Sequence, residues 1–382
     1  MRHLEKIFQP NKGNEMQIKI SKASLSEALN SVQVVVAAKA PIAILQNVKM
    51  TAADGKLELT CSDLDVTLTA IADCEVVEDG ATTLPAKVFA TAVNKVVDGV
   101  MEITVDGNDC ATLKAGSSTF KFRGLPAKEF PAIPAGDGTK CSIDCAALRE
   151  MFRKTAFAAC KDDTRRTLQG VLLDFEKGGA VVKAVGTDGR RLAVLNCEVG
   201  ESSGFTGQFI VPQKAVDALL RKLPKDGKAE LTSAKQQLSV STGRFNLLTK
   251  LTDEVYPNYV QVIPKSTKYT IAVNRVELLG ALDRSSVLTS SDSPTVALTF
   301  KENCLELNSS DADVGDAHDE MPIKYDGETI EMRFNPQYVR EVLSALDEDE
   351  IDVLITDGTK PAIIRKSGAE DYTYVVMPLR GV

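Results

Sequence analysis

Residues 119–134 read TFKFRGLPAKEFPAIP. Phe120 and Phe122 alternate with Thr119, Lys121 and Arg123, the period of a strand with one face buried. Leu125-Pro126 and Phe130-Pro131 then end it, because proline has no N–H for a ladder and pushes its predecessor toward extended backbone. The same order returns from Phe245 through Tyr256-Pro257 to Ile263-Pro264. It returns again, shortened, in the run YVVMPLR from Tyr374 to Arg380. Phe120, Phe245 and Tyr374 are 125 and 129 residues apart, a period that predicts repeated whole domains rather than a solenoid of short units.

Three further signals keep that period. An amphipathic helix is expected after a strand at Ile20, Leu25 and Leu29, at Ile143, Leu148 and Phe152, and at Val273, Leu278 and Leu282. Strands ending at an acidic turn are expected at Asp63, Asp188 and Asp311. A second helix is expected to open at Pro85, Pro212 and Pro336, since proline tolerates the first helical turn. Strand alternation and turn pairs such as Asp54-Gly55, Asp106-Gly107, Asp226-Gly227 and Asp357-Gly358 fill the intervals. Each repeat therefore reads as two helices packed on antiparallel sheets, an α+β unit. The predicted limits are a loose arm over 1–15 and domains over 16–137, 138–266 and 267–382, with linkers near 135–140 and 265–268.

The bulk composition agrees with two or three globular domains in 382 residues, 43% apolar and 26% charged. No apolar run approaches the roughly 20 residues that span a bilayer, and residues 1–15 lack a signal-peptide core. A cytoplasmic location is the expectation. The eight cysteines are scattered without a Cys-x-x-Cys pair, which reads as buried free thiols.

Catalytic chemistry is scarce. Only His3 and His318 are available, one in the loose arm and one in an acidic loop, so no Ser/His/Asp or Cys/His arrangement is expected. No phosphate-cradling or dinucleotide glycine motif occurs. The acidic cluster Asp311, Asp313, Asp316, Asp319 and Glu320 lacks EF-hand spacing and reads as a solvated loop, while the run from Asp347 to Glu350 closes a helix and reads as a solvated face. Asp63, Asp188 and Asp311 recur once per repeat, which fits a structural turn better than a catalytic acid. No enzyme activity, cofactor or metal is expected.

The net charge of −8 argues, taken alone, against a nucleic-acid partner, but its distribution is uneven. The six predicted helices sum to +5 and the remainder to −13. One reading is ordinary surface helices with snorkelling Lys and Arg. The other is a shared helical surface toward a polyanion, binding phosphates without reading sequence.

The LP…FP signature at 125–131, the VGTDGRRLAV stretch from Val185 to Val194 and the VVMPLR stretch from Val375 to Arg380 resemble the bacterial replicative sliding clamp, the beta subunit of DNA polymerase III. The resemblance runs from Met16 to Val382. It implies the DNA clamp fold, three like domains per subunit, in a head-to-tail homodimer closed as a ring around double-stranded DNA. Twelve helices spaced roughly 8–10 Å would enclose a hole on the order of 35 Å, wide enough for a hydrated duplex.

The resemblance also implies three sets of residues. A groove for peptides of the polymerase, the clamp loader and other partners maps to Leu168, Thr187, Gly189, Arg190, Arg191, Leu192, Pro257, Val262, Pro361, Val375, Met377, Pro378, Leu379 and Arg380. Apolar walls with adaptable Met and Leu suit such a segment. DNA contacts map to Lys39, Lys87, Arg165, Arg166 and Lys214, and the dimer interface to Phe120 and Phe122 against Val287 and Leu288. Gln261, where a basic residue is common, and the Gly381-Val382 tail depart from the family pattern. The expected function is a non-catalytic processivity clamp. The alternative is a repeat-built peptide-binding scaffold that does not encircle DNA.

Overall fold

The computed structural model describes residues 15–37, 39–131, 136–162, 164–176, 180–199, 205–290 and 293–379. The predicted arm over 1–15, apart from Glu15, and residue 135 of the first linker lie outside them, as do His3, Arg380 and the Gly381-Val382 tail. Six α-helices are described: α1 Lys22–Val32, α2 Ala86–Lys95, α3 Cys145–Thr155, α4 Gln213–Lys222, α5 Arg275–Ser285 and α6 Pro336–Ala345. These are the six helices of the sequence pattern, two per repeat.

The chain forms two compact units. The first holds residues up to Ala146 together with Asp217–Leu251, the second Ala147–Val216 together with residues from Thr252 on. In the first unit, a five-stranded sheet runs in the order Glu75–Glu78, Met16–Ser21, Val100–Val105, Cys110–Ala115, Ser118–Arg123. An eight-stranded sheet runs Thr139–Asp144, Lys228–Ala234, Gln237–Ser241, Phe245–Lys250, Val66–Asp73, Lys56–Ser62, Asn47–Ala53, Gly80–Pro85. The phenylalanine that opens the second copy of the decisive signature thus joins two repeats: Phe245 pairs with Ala70, and the ladder continues to Thr249 with Val66.

The second unit repeats the design. Its eight-stranded sheet runs Gly207–Pro212, Gly170–Phe175, Val181–Thr187, Arg191–Glu198, Tyr372–Val376, Ala362–Lys366, Glu350–Ile355, Tyr269–Asn274. Here Arg191–Leu195 pairs antiparallel with Tyr372–Val376. A four-stranded sheet runs Gly315–Pro322, Cys304–Asp311, Val296–Lys301, Ile330–Phe334.

Helix and strand starts follow local chemistry. Ser21 and Asn274 close their strands and cap α1 and α5, accepting from the N–H of Ser24 and Glu277. Ile20, Ile143 and Val273 are the last inward residues of the strands that lead into α1, α3 and α5. Only Pro336 is itself inside its helix. Pro85 precedes α2 and Pro212 ends a strand, so two of the three prolines act one residue earlier than expected. Leu25, Leu29, Leu148, Phe152, Leu278 and Leu282 are all buried, each stabilising the fold by roughly 1.5–3 kcal/mol relative to exposure.

The recurring aspartates are turn-makers. Asp63 Oδ1 accepts from Asp65 and Val66 N–H, Asp188 Oδ1 from Arg190 and Arg191, and Asp311 Oδ1 from Asp313 and Val314. Each ties its carboxylate to the second and third residues on, which fixes a tight reversal.

One expected loop is otherwise. The segment around His318 is a strand, Gly315–Pro322, in which Asp316, His318 and Glu320 alternate outward, and His318 Nδ1 lies 2.8 Å from Asn308 Oδ1. The run from Asp347 to Glu350 follows α6 with Asp347, Asp349 and Glu350 exposed, as expected, and it is bonded as well. Asp347 takes Arg153, and the carbonyls of Glu348 and Asp349 take Nε and N–H of Arg275. All eight cysteines are free thiols, but only Cys61, Cys141, Cys145 and Cys160 are buried; Cys74, Cys197 and Cys304 are half-buried and Cys110 is exposed. No helix among the described residues is long and apolar enough to cross a membrane.

Candidate functional site

The stretch from Thr187 to Leu192 shows why its residue types are needed. Asp188 Oδ1 holds the N–H groups of Arg190 and Arg191, while Thr187 Oγ1 donates to the Arg191 carbonyl at 2.5 Å and accepts from Gly189 N–H at 3.1 Å. Gly189 sits at φ +84°, a backbone state that a side chain resists, and a Cβ there would lie 3.3 Å from Arg165 Nη1. Gly186 is required by proximity, since a Cβ would come within 2.1 Å of the Thr155 carbonyl oxygen.

This turn forms one wall of a cavity of about 240 Å³ within the second unit. Leu168, Thr187, Gly189, Arg190, Arg191, Leu192, Pro257, Val262, Val375 and Met377 all line it, joined by Asn258 and Tyr259. Leu192 and Val375 face each other directly across the Arg191–Leu195 and Tyr372–Val376 ladder. The turn is stitched to the opposite wall by the Met377 N–H, which donates to the Arg190 carbonyl at 3.0 Å.

Beneath lies an apolar cluster including Leu172, Val185, Val194, Ile210, Tyr256 and Ile363, with Leu168 packed against it. The Tyr256 hydroxyl donates to the Val185 carbonyl at 3.4 Å. Burial raises the Tyr256 phenol, and burial together with Asp174 and Glu176 pushes Tyr259 up to about 12. Both phenols are therefore neutral near pH 7, and the floor is uncharged. The rim adds Val260 and Val262, which are 60% and 53% exposed. Such a cavity can hold apolar side chains; among the described residues no group of three or more His, Cys, Asp or Glu could hold a metal.

The remaining groove residues of the sequence reading stand apart. Pro361, Pro378 and Leu379 are not in the lining, and Leu379 N–H instead donates to the Arg333 carbonyl at 2.7 Å, drawing the tail toward strand Ile330–Phe334. Arg380 lies outside the described residues. Asn258 and Tyr259 were missed because the sequence gives no periodic signal for the single 3-10 turn Tyr259–Val262 that presents them.

The five basic residues Lys39, Lys87, Arg165, Arg166 and Lys214 are all exposed. Arg165 differs from the rest, since its Nη1 donates to the Asp188 carbonyl at 3.2 Å and so lies beside the cavity turn. Phe120 is half-buried on the edge strand Ser118–Arg123, and Val287 is 76% exposed beside half-buried Leu288 on the turn Ser286–Leu288. Phe122 does not share that exposure. It is buried and meets Phe89 of α2 edge-on at 5.3 Å.

Comparison with known proteins covers almost the whole chain. Residues 16–134, 142–258 and 260–380 match the models for the N-terminal, central and C-terminal domains of the DNA polymerase III beta subunit. The beta sliding clamp of Synechococcus elongatus is 32% identical over 375 residues, which is 96% of this chain and 99% of that protein. That of Chlamydia muridarum is 29% identical over 366 residues, 96% and 99% of the two chains. The DnaN sliding clamp of Pseudomonas aeruginosa, solved bound to griselimycin, superposes with a TM-score of 0.91 at 29% identity, covering 96% of this chain and all of that one. With three like domains matched in order from residue 16 to residue 380, the chain belongs to the DNA polymerase III beta subunit family, the beta sliding clamps.

Proposed function

We propose that two copies of this chain close head to tail into a ring around duplex DNA and hold the replicative polymerase there. As a family member the chain is a DNA sliding clamp, a non-catalytic subunit that serves DNA polymerase III in replication. Tethering turns each rebinding of the polymerase into an intramolecular event at high effective concentration. Replication on a bacterial chromosome puts this work in the cytoplasm. The limits 16–137, 138–266 and 267–382 serve as the domain boundaries of the reading.

One observation carries the ring: two sheet edges that are unpartnered among the described residues and complementary in charge. Strand Ser118–Arg123 ends the five-stranded sheet and exposes Lys121 and Arg123. Strand Gly315–Pro322 ends the four-stranded sheet and exposes Asp316 and Glu320. An open edge invites another strand, and opposite charges select the other end of a second copy over its own kind. Phe120 on one side, with Val287 and Leu288 on the other, would supply the apolar part of the contact. Lys39, Lys87, Arg165, Arg166 and Lys214 are the proposed phosphate contacts, and Arg165 is also bonded to the Asp188 carbonyl.

The 240 Å³ cavity is the proposed seat for short apolar segments of the polymerase, the clamp loader and other clamp-binding proteins. Its uncharged floor and Met377-lined wall favour that occupant. Griselimycin, bound by the Pseudomonas clamp, is proposed to occupy the same cavity here. The test of the whole reading is retention on DNA. Chain loaded onto nicked circular DNA by its clamp loader should co-elute with the circle and be released on linearisation. Retention after linearisation, or no retention at all, would overturn encirclement and leave a peptide-binding scaffold.

A further inference from the structure

Arg191 lines the cavity, yet its guanidinium is already engaged on three sides. Nε donates to Asp188 Oδ2 at 3.0 Å, Nη2 to the Phe157 carbonyl at 2.7 Å, and Nη1 to Glu341 of α6. The rings of Tyr338 and Phe157 lie 4.4 and 5.7 Å from its central carbon, and the side chain is only 4% exposed. An arginine so enclosed has little left to offer a ligand. What it governs is the turn it springs from, because Asp188 gives one oxygen to the turn N–H groups and the other to Arg191.

Glu341 is the far anchor of this arrangement. It is held in place by Gln337 Nε2 at 2.9 Å and is not part of the cavity. A continuous run of bonds leads from it through Arg191 to Asp188, through the turn to the Arg190 carbonyl, and from there to the Met377 N–H on the opposite wall. A buried guanidinium that loses one of two carboxylates is left underpaired, which is costly. Asp188, its remaining carboxylate, also holds the turn N–H groups, so a shift of Arg191 is passed to the turn.

We infer that Glu341 is a positioning residue for the cavity: from helix α6, through Arg191, it fixes the spacing of the Thr187–Arg191 wall and the Met377 wall, and thereby the affinity for an apolar occupant. The inference rests on the reading of this cavity as the partner-binding groove. A purely structural role for Glu341 would lower thermal stability and leave the cavity unchanged.

The experiment compares full-length wild type with Glu341→Ala and Glu341→Gln. Griselimycin is titrated calorimetrically, and methyl spectra are recorded on methionine-labelled protein, with Met377→Leu identifying the Met377 resonance. Glu341→Ala should bind griselimycin more weakly, on the order of tenfold, and shift the Met377 methyl. Glu341→Gln keeps an oxygen acceptor at the same place and should restore most of both. An unmoved Met377 methyl in Glu341→Ala with wild-type affinity would overturn the inference. So would equal losses in both variants that track their melting temperatures. Failure of the wild type to bind griselimycin would instead count against the groove reading, and the Met377 methyl alone would then decide whether Glu341 positions the wall.

Discussion

The Tyr372 phenol donates to the Lys154 carbonyl oxygen at 3.1 Å, joining residues 218 apart in sequence. It is the buried end of a clasp around the C-terminal part of α3. Lys154, itself buried, lies 5.5 Å from the centre of the Tyr372 ring and 3.0 Å from Glu150. Arg153 donates to both Glu150 oxygens at 2.8 Å and reaches Asp347 and the Ala345 carbonyl. The ladder between Phe245–Lys250 and Val66–Asp73 is dressed differently. Its ion pairs, Arg244 with Asp73 and Lys250 with Asp65, have every side chain at least 55% exposed. Exposed pairs contribute little because water and salt screen them.

Unequal stabilisation is the first prediction. Arg153→Ala strips the clasp of several charge-assisted bonds and should cost about 1–3 kcal/mol. Arg244→Ala should cost less than about 1 kcal/mol. Chemical denaturation of the two variants measures both, and equal costs would mean that the clasp is as weakly held as the surface pairs.

Glu150 makes the clasp sensitive to acid. Burial alone would raise its pKa, but the hydrogen bonds and charges of Arg153 and Lys154 outweigh burial and hold it below the ordinary value. A group depressed in the folded state contributes its full stability above the unfolded value, about 4.3. That contribution is lost as pH falls through the folded value. Glu150→Gln should therefore lower the melting temperature at pH 7 and flatten its fall below about pH 4.5. A variant curve that runs parallel to the wild type through the acid range would contradict the assignment.

Phe120 and Phe122, two residues apart on one strand, should separate assembly from folding. Phe122 is 9% exposed against Phe89, so Phe122→Ala should cost roughly 3–5 kcal/mol in unfolding experiments. Phe120 stacks on Phe122 at 6.4 Å but keeps part of its ring open at the sheet edge. Phe120→Ala should halve the molar mass seen by light scattering, with a much smaller loss of stability. Unchanged mass in the Phe120 variant would remove that residue from the contact between copies.

Much of this was legible because it repeats. The Asp63, Asp188 and Asp311 turns and the six helical stripes each depend on neighbours two to four residues away, which spacing alone specifies. The Thr187–Leu192 half of the cavity was legible only through the family resemblance, although the hydrogen bonds of Thr187 account for its turn. Glu341 was not. Its partner Arg191 lies 150 residues away, and no local pattern distinguishes it from any other charge on a helix. The hairpin around His318 differs from the expected loop for a related reason. Alternation tells which residues share a face but not whether a helix such as α2 covers that face.

The exposed cations provide the last prediction. If Lys87 and Lys214 touch phosphates, Lys87→Gln and Lys214→Gln should weaken association with circular DNA regardless of sequence. Each substitution should also make the slope of log K against log salt shallower by about one unit, since one phosphate is no longer neutralised. Arg165 should behave otherwise, because its Nη1 is bound to the Asp188 carbonyl beside Gly189. Arg165→Gln should change the salt slope less than either lysine variant while weakening griselimycin binding, since it frees the turn that walls the cavity. The two measurements on one set of variants assign each cation to the DNA or to the groove. A full unit of slope change in Arg165→Gln, with griselimycin affinity intact, would place that side chain on the DNA.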